Sequence, residues 1–216
     1  MTDRPAPLDD VTAIVLAGGR SARFGADKLA AELDGRPLLQ HAIAAVTEVA
    51  GSVVVVAAPD GHPVIPAGAA VGVQLVRDPE PFGGPLVGLA TALAATATPI
   101  AIVVGGDMPR LSPAVLRRLV ASVSPSRPAV HLEVPGRIQP LPMALDAVAA
   151  RGAAADVVGR GGRSLRELLR ELDAAAIPAP VWLALDPSGG TIVDVDRPAD
   201  LASARPTGDR RRRPRS

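Results

Sequence analysis

A single three-layer α/β domain, its mainly parallel sheet flanked by helices on both faces, is what this sequence predicts. Strand-like runs of β-branched residues alternate with amphipathic helical segments, the pattern of parallel-sheet proteins. The strongest of these runs are apolar at successive positions, as strands buried on both faces are. The length of 216 residues fits one large domain, and no linker or internal repeat divides it.

The first ten residues, MTDRPAPLDD, are assigned to a disordered N-terminal segment, and the domain is expected over 11–205. TAIVLA, from Thr12, opens it as a buried strand closed by turn residues. PLLQHAIAAVTEVAG follows as a helix, with Pro37 at its first position and Gly51 just past its end. Its apolar positions Leu39, Ile43, Val46 and Ala50 recur at helical spacing. SVVVVAA, from Ser52, and IAIVV, from Ile100, are further buried strands, and VQLV, from Val73, is a weaker one. LSPAVLRRLVASV starts a helix with Ser112 as N-cap and Pro113 behind it, burying Leu116, Leu119, Val120 and Val123. AVHLEV, from Ala129, and TIVDV, from Thr191, read as strands, and VWLAL, from Val181, as an edge strand. SLRELLREL is a helix capped by Ser164, with Leu165, Leu168, Leu169 and Leu172 as its stripe.

Composition removes several function classes. The chain has no cysteine, so disulfides, thiolate metal sites and a cysteine nucleophile are excluded. With one Trp, two Phe and no Tyr it lacks the aromatic platforms on which bases stack. Its formal charge is only +1, so no global field points to nucleic acid or a membrane. No apolar run approaches the roughly 20 residues that span a bilayer, and the N-terminus lacks a signal-peptide layout; a soluble cytoplasmic protein is expected. The concentrated charge of GDRRRRPRS is assigned to a solvated, disordered basic tail over 206–216, the alternative being an anion-binding arm.

In parallel sheets ligands sit beyond the carboxyl ends of the strands, so the loops after the strand-like runs carry the candidate site. After the first comes LAGGRSARFGADK, Leu16 to Lys28. Gly18 and Gly19 permit close backbone approach, successive backbone N–H groups can cradle an anion, and Arg23 and Lys28 suit a polyphosphate. The loop matches neither GxGxxG nor GxxxxGK[ST], and on spacing alone a solvated surface turn is an equal reading. After VQLV comes Asp78, then Gly83, Gly84, Pro85 and Gly88 at a helix start, which is either a set of backbone donors for a ligand or a tight turn. After IAIVVGG comes Asp107, either a ligand for Mg²⁺ or a capping aspartate.

These residues in this order resemble the molybdenum cofactor guanylyltransferase family, nucleotidyltransferases that add GMP to molybdopterin. The family opens with a pattern like LAGGxSxRMGxxK; Leu16, Ala17, Gly18, Gly19, Ser21, Arg23, Gly25 and Lys28 match it, with Phe24 in place of Met. Its GPLxG loop appears as Gly84-Pro85-Leu86-Val87-Gly88 after Asp78, and its DxPxL segment as Asp107-Met108-Pro109 with Leu111. Arg137 to Leu141 resembles its RxxPL stretch, and GGRSLRELL, from Gly161, a segment near its second substrate. IVDVDRPADL, from Ile192, stands where the family often has VNxNTPEDL, so Asp194 and Asp196 occupy positions often held by Asn. Ala57 and Ala58 stand where some relatives carry an Asn near the nucleotide.

The resemblance implies a Rossmann-like fold of the nucleotide-diphospho-sugar transferase type and transfer of GMP from GTP to molybdopterin, with Mg²⁺ as cofactor and pyrophosphate released. It gives Leu16, Ala17, Gly18 and Gly19 the nucleotide cradle, Arg23 and Lys28 the triphosphate, Asp78 a nucleotide contact, and Asp107 the metal, with Arg23, Lys28 and Asp107 catalytic. It also leaves room for transient contact with molybdoenzymes or cofactor chaperones. A phosphate monoester attacking the α-phosphorus is already anionic near neutrality, so no general base is required. His41, His62 and His131 fall outside the motifs and read as structural or exposed. A sister enzyme using CTP or another phosphorylated acceptor (a molybdopterin cytidylyltransferase or a phospholactate guanylyltransferase) and a non-catalytic nucleotide-binding protein of the same fold are the competing readings.

Overall fold

The protein was analysed as a computed structural model, which describes residues 5–18, 28–65, 72–79 and 83–203. In chain order the elements are β1 (Leu8–Ala17), a 3-10 turn (Lys28–Ala30), β2 (Glu32–Leu33), β3 (Arg36–Pro37), α1 (Leu38–Val46), β4 (Ala50–Ala57), β5 (Val73–Arg77) and α2 (Pro85–Ala95). They continue with β6 (Ile100–Gly105), α3 (Pro113–Val120), β7 (Ala129–Val134), β8 (Arg137–Asp146), α4 (Ala147–Gly159) and α5 (Leu165–Glu171). β9 (Ala175–Ile177), α6 (Ala179–Leu183), a second 3-10 turn (Gly190–Ile192) and α7 (Asp200–Ser203) complete the order.

The main sheet has seven strands in the order β5-β4-β1-β6-β8-β7-β9, and β8 alone runs antiparallel to its neighbours. Side-chain alternation along the central strands divides the core into two layers. Val11, Ala13 and Val15 of β1 pack with Leu39 and Ile43 of α1 and with Leu116 of α3. Ile14, on the opposite face, joins Leu86 and Leu89 of α2 and the inner faces of α4 and α5. Burial on both faces is why β1, β4 and β6 are apolar at consecutive positions.

Glycine and charge adjust this frame at a few points. A Cβ on Gly51 would lie 2.9 Å from Asp9 Cα, so only glycine lets β4 come this close to β1 there. Arg151 of α4 donates to the carbonyls of Leu93 and Thr96 at 3.0 and 2.7 Å, satisfying the open C-terminal end of α2 from a neighbouring helix. Ser164 and Glu167 form the reciprocal capping box that starts α5.

Several expectations from the sequence are corrected. β1 starts at Leu8 and so takes in residues assigned to the N-terminal segment. Helix α1 starts at Leu38, with Pro37 as its cap, and stops at Val46; Ala50 and Gly51 already belong to β4. VWLAL is helical rather than an edge strand: Pro180 sits in the first turn of α6 and Trp182 is buried, its Nε1 donating to the Glu133 carbonyl at 3.0 Å. TIVDV forms no strand; after the 3-10 turn it lies against the loop that follows β6, where Val195 N–H donates to the Asp107 carbonyl at 3.0 Å. β8 went unread because Pro140 and Pro142 interrupt its pattern. Both fall between the paired residues Ile138 and Met143, where the register shifts and no ladder donor is required. The assigned basic tail lies outside the described residues.

The segment that replaces the expected last strand is held by a buried carboxylate. Thr191 donates to Asp186 Oδ2 from its hydroxyl at 2.7 Å and its N–H at 2.8 Å, while Ser188 donates to the other oxygen. Thr191 Oγ1 in turn accepts from Ser112 N–H at 3.0 Å, tying the segment to the start of α3. Burial alone would raise the Asp186 pKa, but the hydrogen bonds from Ser188 and Thr191 outweigh it and hold the carboxyl below its ordinary value. Asp186→Ala is expected to cost about 2–3 kcal/mol in urea unfolding at pH 7. Because the folded pKa is lowered, this contribution is complete above the unfolded pKa of about 3.9 and is lost as pH falls through the folded value. A gap between wild type and variant that already closes near pH 6 would place the stabilisation elsewhere.

Candidate active site

β1 lies between β4 on one side and β6 on the other, so the chain leaves it in one direction and returns in the opposite one. Between β1 and β6 the strand order reverses, the position at which sheets of this kind place their ligands. The register aligns Leu16 with Gly105, Ala17 with Ala57, and Ala57 with Arg77. Gly18, Asp78 and the Gly106–Asp107 turn therefore leave the sheet at one edge. Gly106 N–H donates to the Leu16 carbonyl at 2.9 Å, joining the first and third of these loops directly. A Cβ on Gly106 would come within 3.1 Å of Leu39 and 3.3 Å of that carbonyl, so this glycine serves packing. At Gly18 a Cβ would meet nothing closer than Ala58 N at 3.5 Å, an ordinary contact.

Lys28 is the side chain on which the site converges. Its Nζ donates to Asp107 Oδ2 at 2.8 Å and to Asp196 Oδ1 at 2.7 Å. The Lys28 side chain is 13% exposed, against 28% for Asp107 and 53% for Asp196, so the ammonium lies inside while the carboxylates face the opening. Leu29, the next residue, packs on the core beside Gly106 and fixes where the lysine stem begins. Burial would lower the Lys28 pKa, but the hydrogen bonds and negative charges of Asp107 and Asp196 outweigh it and raise the group above its ordinary value.

Asp196 reaches this point because of the residue before it. Val195 is fully buried in a small cluster with Leu33 and Leu38, beside the β2–β3 hairpin. In an extended chain neighbouring side chains point to opposite sides, so burying Val195 turns Asp194 and Asp196 outward. Asp200 Oδ2 then accepts from the N–H groups of Asp196 and Arg197 at 2.9 and 2.8 Å, pinning the backbone.

The second glycine-rich loop serves packing as much as approach. Gly84 has φ of +90°, and a Cβ there would lie 2.8 Å from the Arg163 carbonyl, which accepts from Leu86 N–H at 3.2 Å. One of the helix-start donors expected to face a ligand is thus spent on the GGRSLRELL segment. Gly88 lets α2 approach β4 and β5: a Cβ would sit 3.0 Å from Val56 Cγ1 and 3.3 Å from Asp78 Oδ2. The Asp78 carboxylate stands over the first turn of α2, where the helix dipole favours negative charge.

Of the residues singled out from sequence, the structure places Leu16, Ala17, Gly18, Lys28, Asp78 and Asp107 along one sheet edge and joins Lys28 directly to Asp107. Gly19 and Arg23 lie outside the described residues. Asp196 was noted only as a departure from the family pattern; its contact with Lys28, 168 positions away, depends on the burial of Val195. His41 Nε2 bonds the Leu33 carbonyl at 2.8 Å, His131 Nδ1 bonds the Leu132 carbonyl at 3.0 Å, and His62 is exposed. Among the described residues no three His, Asp or Glu side chains converge as a self-sufficient metal cage. Asp107 and Asp196 supply hard oxygen donors, the kind that suits Mg²⁺ when phosphate oxygens and water complete its shell.

Asp194 carries the electrostatic cost of this arrangement. Partial enclosure of its carboxyl raises its pKa, and the charges of Asp196 and Asp107 raise it further. A raised carboxyl pKa weakens the fold at neutral pH, where the group must ionise, and ceases to do so once it is protonated. Asp194→Asn is therefore expected to raise Tm at pH 7, the gain shrinking as pH falls towards about 4. An equal gain at both pH values would rule out charge as the cause.

Comparison with known proteins identifies the family. The family model described as "MobA-like NTP transferase domain" matches residues 13–176. A protein of Chloroflexus aggregans named "Probable molybdenum cofactor guanylyltransferase" is 33% identical over 203 residues, covering 88% of this chain and 91% of that protein. The molybdenum cofactor guanylyltransferase of Xanthomonas euvesicatoria is 40% identical over 73% of this chain and 75% of its own length. Among solved structures, molybdopterin-guanine dinucleotide biosynthesis protein A from Archaeoglobus fulgidus superposes with a TM-score of 0.70 at 20% identity, covering 89% of this chain and 96% of that one. The chain belongs to the MobA-like NTP transferase family of nucleotidyltransferases, together with the molybdenum cofactor guanylyltransferases.

Proposed function

We propose that the protein transfers GMP from GTP to molybdopterin. The observation that carries this reading is the pairing of Lys28 with Asp107 at 2.8 Å, at the edge where the strand order reverses. There a cation for phosphates and a carboxylate for a metal stand side by side. The names of the relatives support guanylyl over cytidylyl transfer and molybdopterin as acceptor.

The terminal phosphate monoester of the acceptor attacks the α-phosphorus of GTP. The bond from that phosphorus to the α–β bridging oxygen breaks, and pyrophosphate leaves with the oxygen. The attacking oxygen is already anionic near neutrality, its second pKa being about 6, so no side chain need take a proton from it. The bonds made by His41 and His131 to backbone carbonyls accord with that. Catalysis then rests on in-line positioning and on neutralising like charges. Asp107 would hold Mg²⁺, which supplies charge neutralisation at the phosphates. Lys28 and Arg23 bind the triphosphate, Asp78 contacts the nucleotide, and Leu16 to Gly19 form its backbone cradle. A Cβ at position 18 would make only ordinary contacts, so packing alone does not demand glycine there, which supports that last role.

Asp107→Ala is expected to lower pyrophosphate release with GTP, Mg²⁺ and molybdopterin by about 100-fold or more. Near-normal Mg²⁺-dependent release from that variant would overturn the role given to Asp107.

A further inference from the structure

Two carboxylates and one ammonium meet at the residue to which the metal is assigned. Lys28 Nζ lies 2.8 Å from Asp107 Oδ2 and 2.7 Å from Asp196 Oδ1. A divalent cation bound by Asp107 needs its oxygen at roughly 2.0–2.6 Å, so a metal between these carboxylates would claim the place Lys28 now fills. We propose that Lys28 is the resident counter-cation of Asp107 and Asp196 in the nucleotide-free protein. Asp196 is then a positioning residue whose anchorage Lys28 must break to reach the phosphates and open Asp107 to metal. The inference rests on the reading of Asp107 as the metal residue and Lys28 as a phosphate-binding residue.

The packing favours one partner for the movement. The Asp196 backbone is anchored: Val195 before it is fully buried, and the Asp196 N–H donates to Asp200 at 2.9 Å. Asp107 is fixed by its turn, whose carbonyl accepts from Val195 N–H at 3.0 Å. Lys28 ends a flexible four-carbon stem, so it is the group able to swing between carboxylate and phosphate. The exchange also preserves charge. Without a cation, Asp107, Asp194 and Asp196 would leave three negative charges facing an incoming triphosphate. With Lys28 in place the pocket is partly neutralised until metal and nucleotide arrive together. An asparagine at position 196 would keep a hydrogen-bond acceptor for Lys28 and lose the charge, making Lys28 easier to release.

Two measurements test this, neither of which uses turnover. The first is Mn²⁺ binding without nucleotide, followed by electron paramagnetic resonance. Lys28→Met keeps the stem and removes the competing charge, and is expected to tighten Mn²⁺ binding about five-fold or more, the gain disappearing when Asp107→Asn is added. Lys28→Gln should repeat the gain if the methionine variant folds poorly. Unchanged or weaker Mn²⁺ binding in both lysine variants, with Asp107→Asn still abolishing Mn²⁺ binding in the presence of GTP, would overturn the exchange and leave the metal role of Asp107 standing. Mn²⁺ binding indifferent to Asp107→Asn with and without GTP would overturn both. The second measurement is GTP affinity in EDTA, where Asp196→Asn is expected to strengthen binding about three- to five-fold because Lys28 is more easily freed. An unchanged or weaker affinity would contradict the anchoring role, and so would an equal gain from Asp196→Asn in a Lys28→Met background, since removing a negative charge beside a triphosphate can strengthen binding without Lys28.

Discussion

One lysine between two carboxylates holds the site together. Lys28 begins the short turn after the first loop, Asp107 lies 79 positions later and Asp196 a further 89. The contact requires three separate elements to arrive at one point. Gly106 lets the loop after β6 lie against β1 and Leu29, and the buried Val195 delivers the final segment to the Asp107 turn. The Asp186 network fixes where that segment starts. Small and apolar residues thus set the geometry, and the charged side chains occupy the positions left to them.

The sheet explains why the convergence falls where it does. Four parallel strands present their carboxyl ends at one edge, and the strand order reverses there between β1 and β6. The antiparallel strand β8 extends the sheet beyond β6 and supports β7 and, through it, β9. The segment GGRSLRELL is bonded to the glycine-rich start of α2 through the Arg163 carbonyl, so the regions assigned by resemblance to nucleotide and to second substrate share a backbone contact.

Most of this architecture was legible in the sequence because burial on both faces leaves an unmistakable apolar run in β1, β4 and β6. The capping signals of Ser112 and Ser164 were equally plain, though Ser112 caps by position, its side chain making no cap bond. Legibility failed where tertiary contacts override local pattern. TIVDV carries the β-branched residues of a strand, yet Thr191 is taken by Asp186 and Val195 by the β2–β3 cluster. VWLAL is too short for periodicity to separate strand from helix, and Pro180 tips it to helix. At the site, Lys28 and Asp107 could be read from motif and strand position, whereas the pairing of Lys28 with Asp196 could not: it depends on a buried valine that looks ordinary in sequence.

Guanylyl transfer to molybdopterin at this edge of the sheet is tested most directly by mass identification of the product after incubation of the protein with Mg²⁺, molybdopterin and an equimolar mixture of GTP and CTP. The expected product is a molybdopterin–guanine dinucleotide, formed with one pyrophosphate released per product. A cytidine dinucleotide as the dominant product, or unmodified molybdopterin with both nucleotides intact, would contradict it.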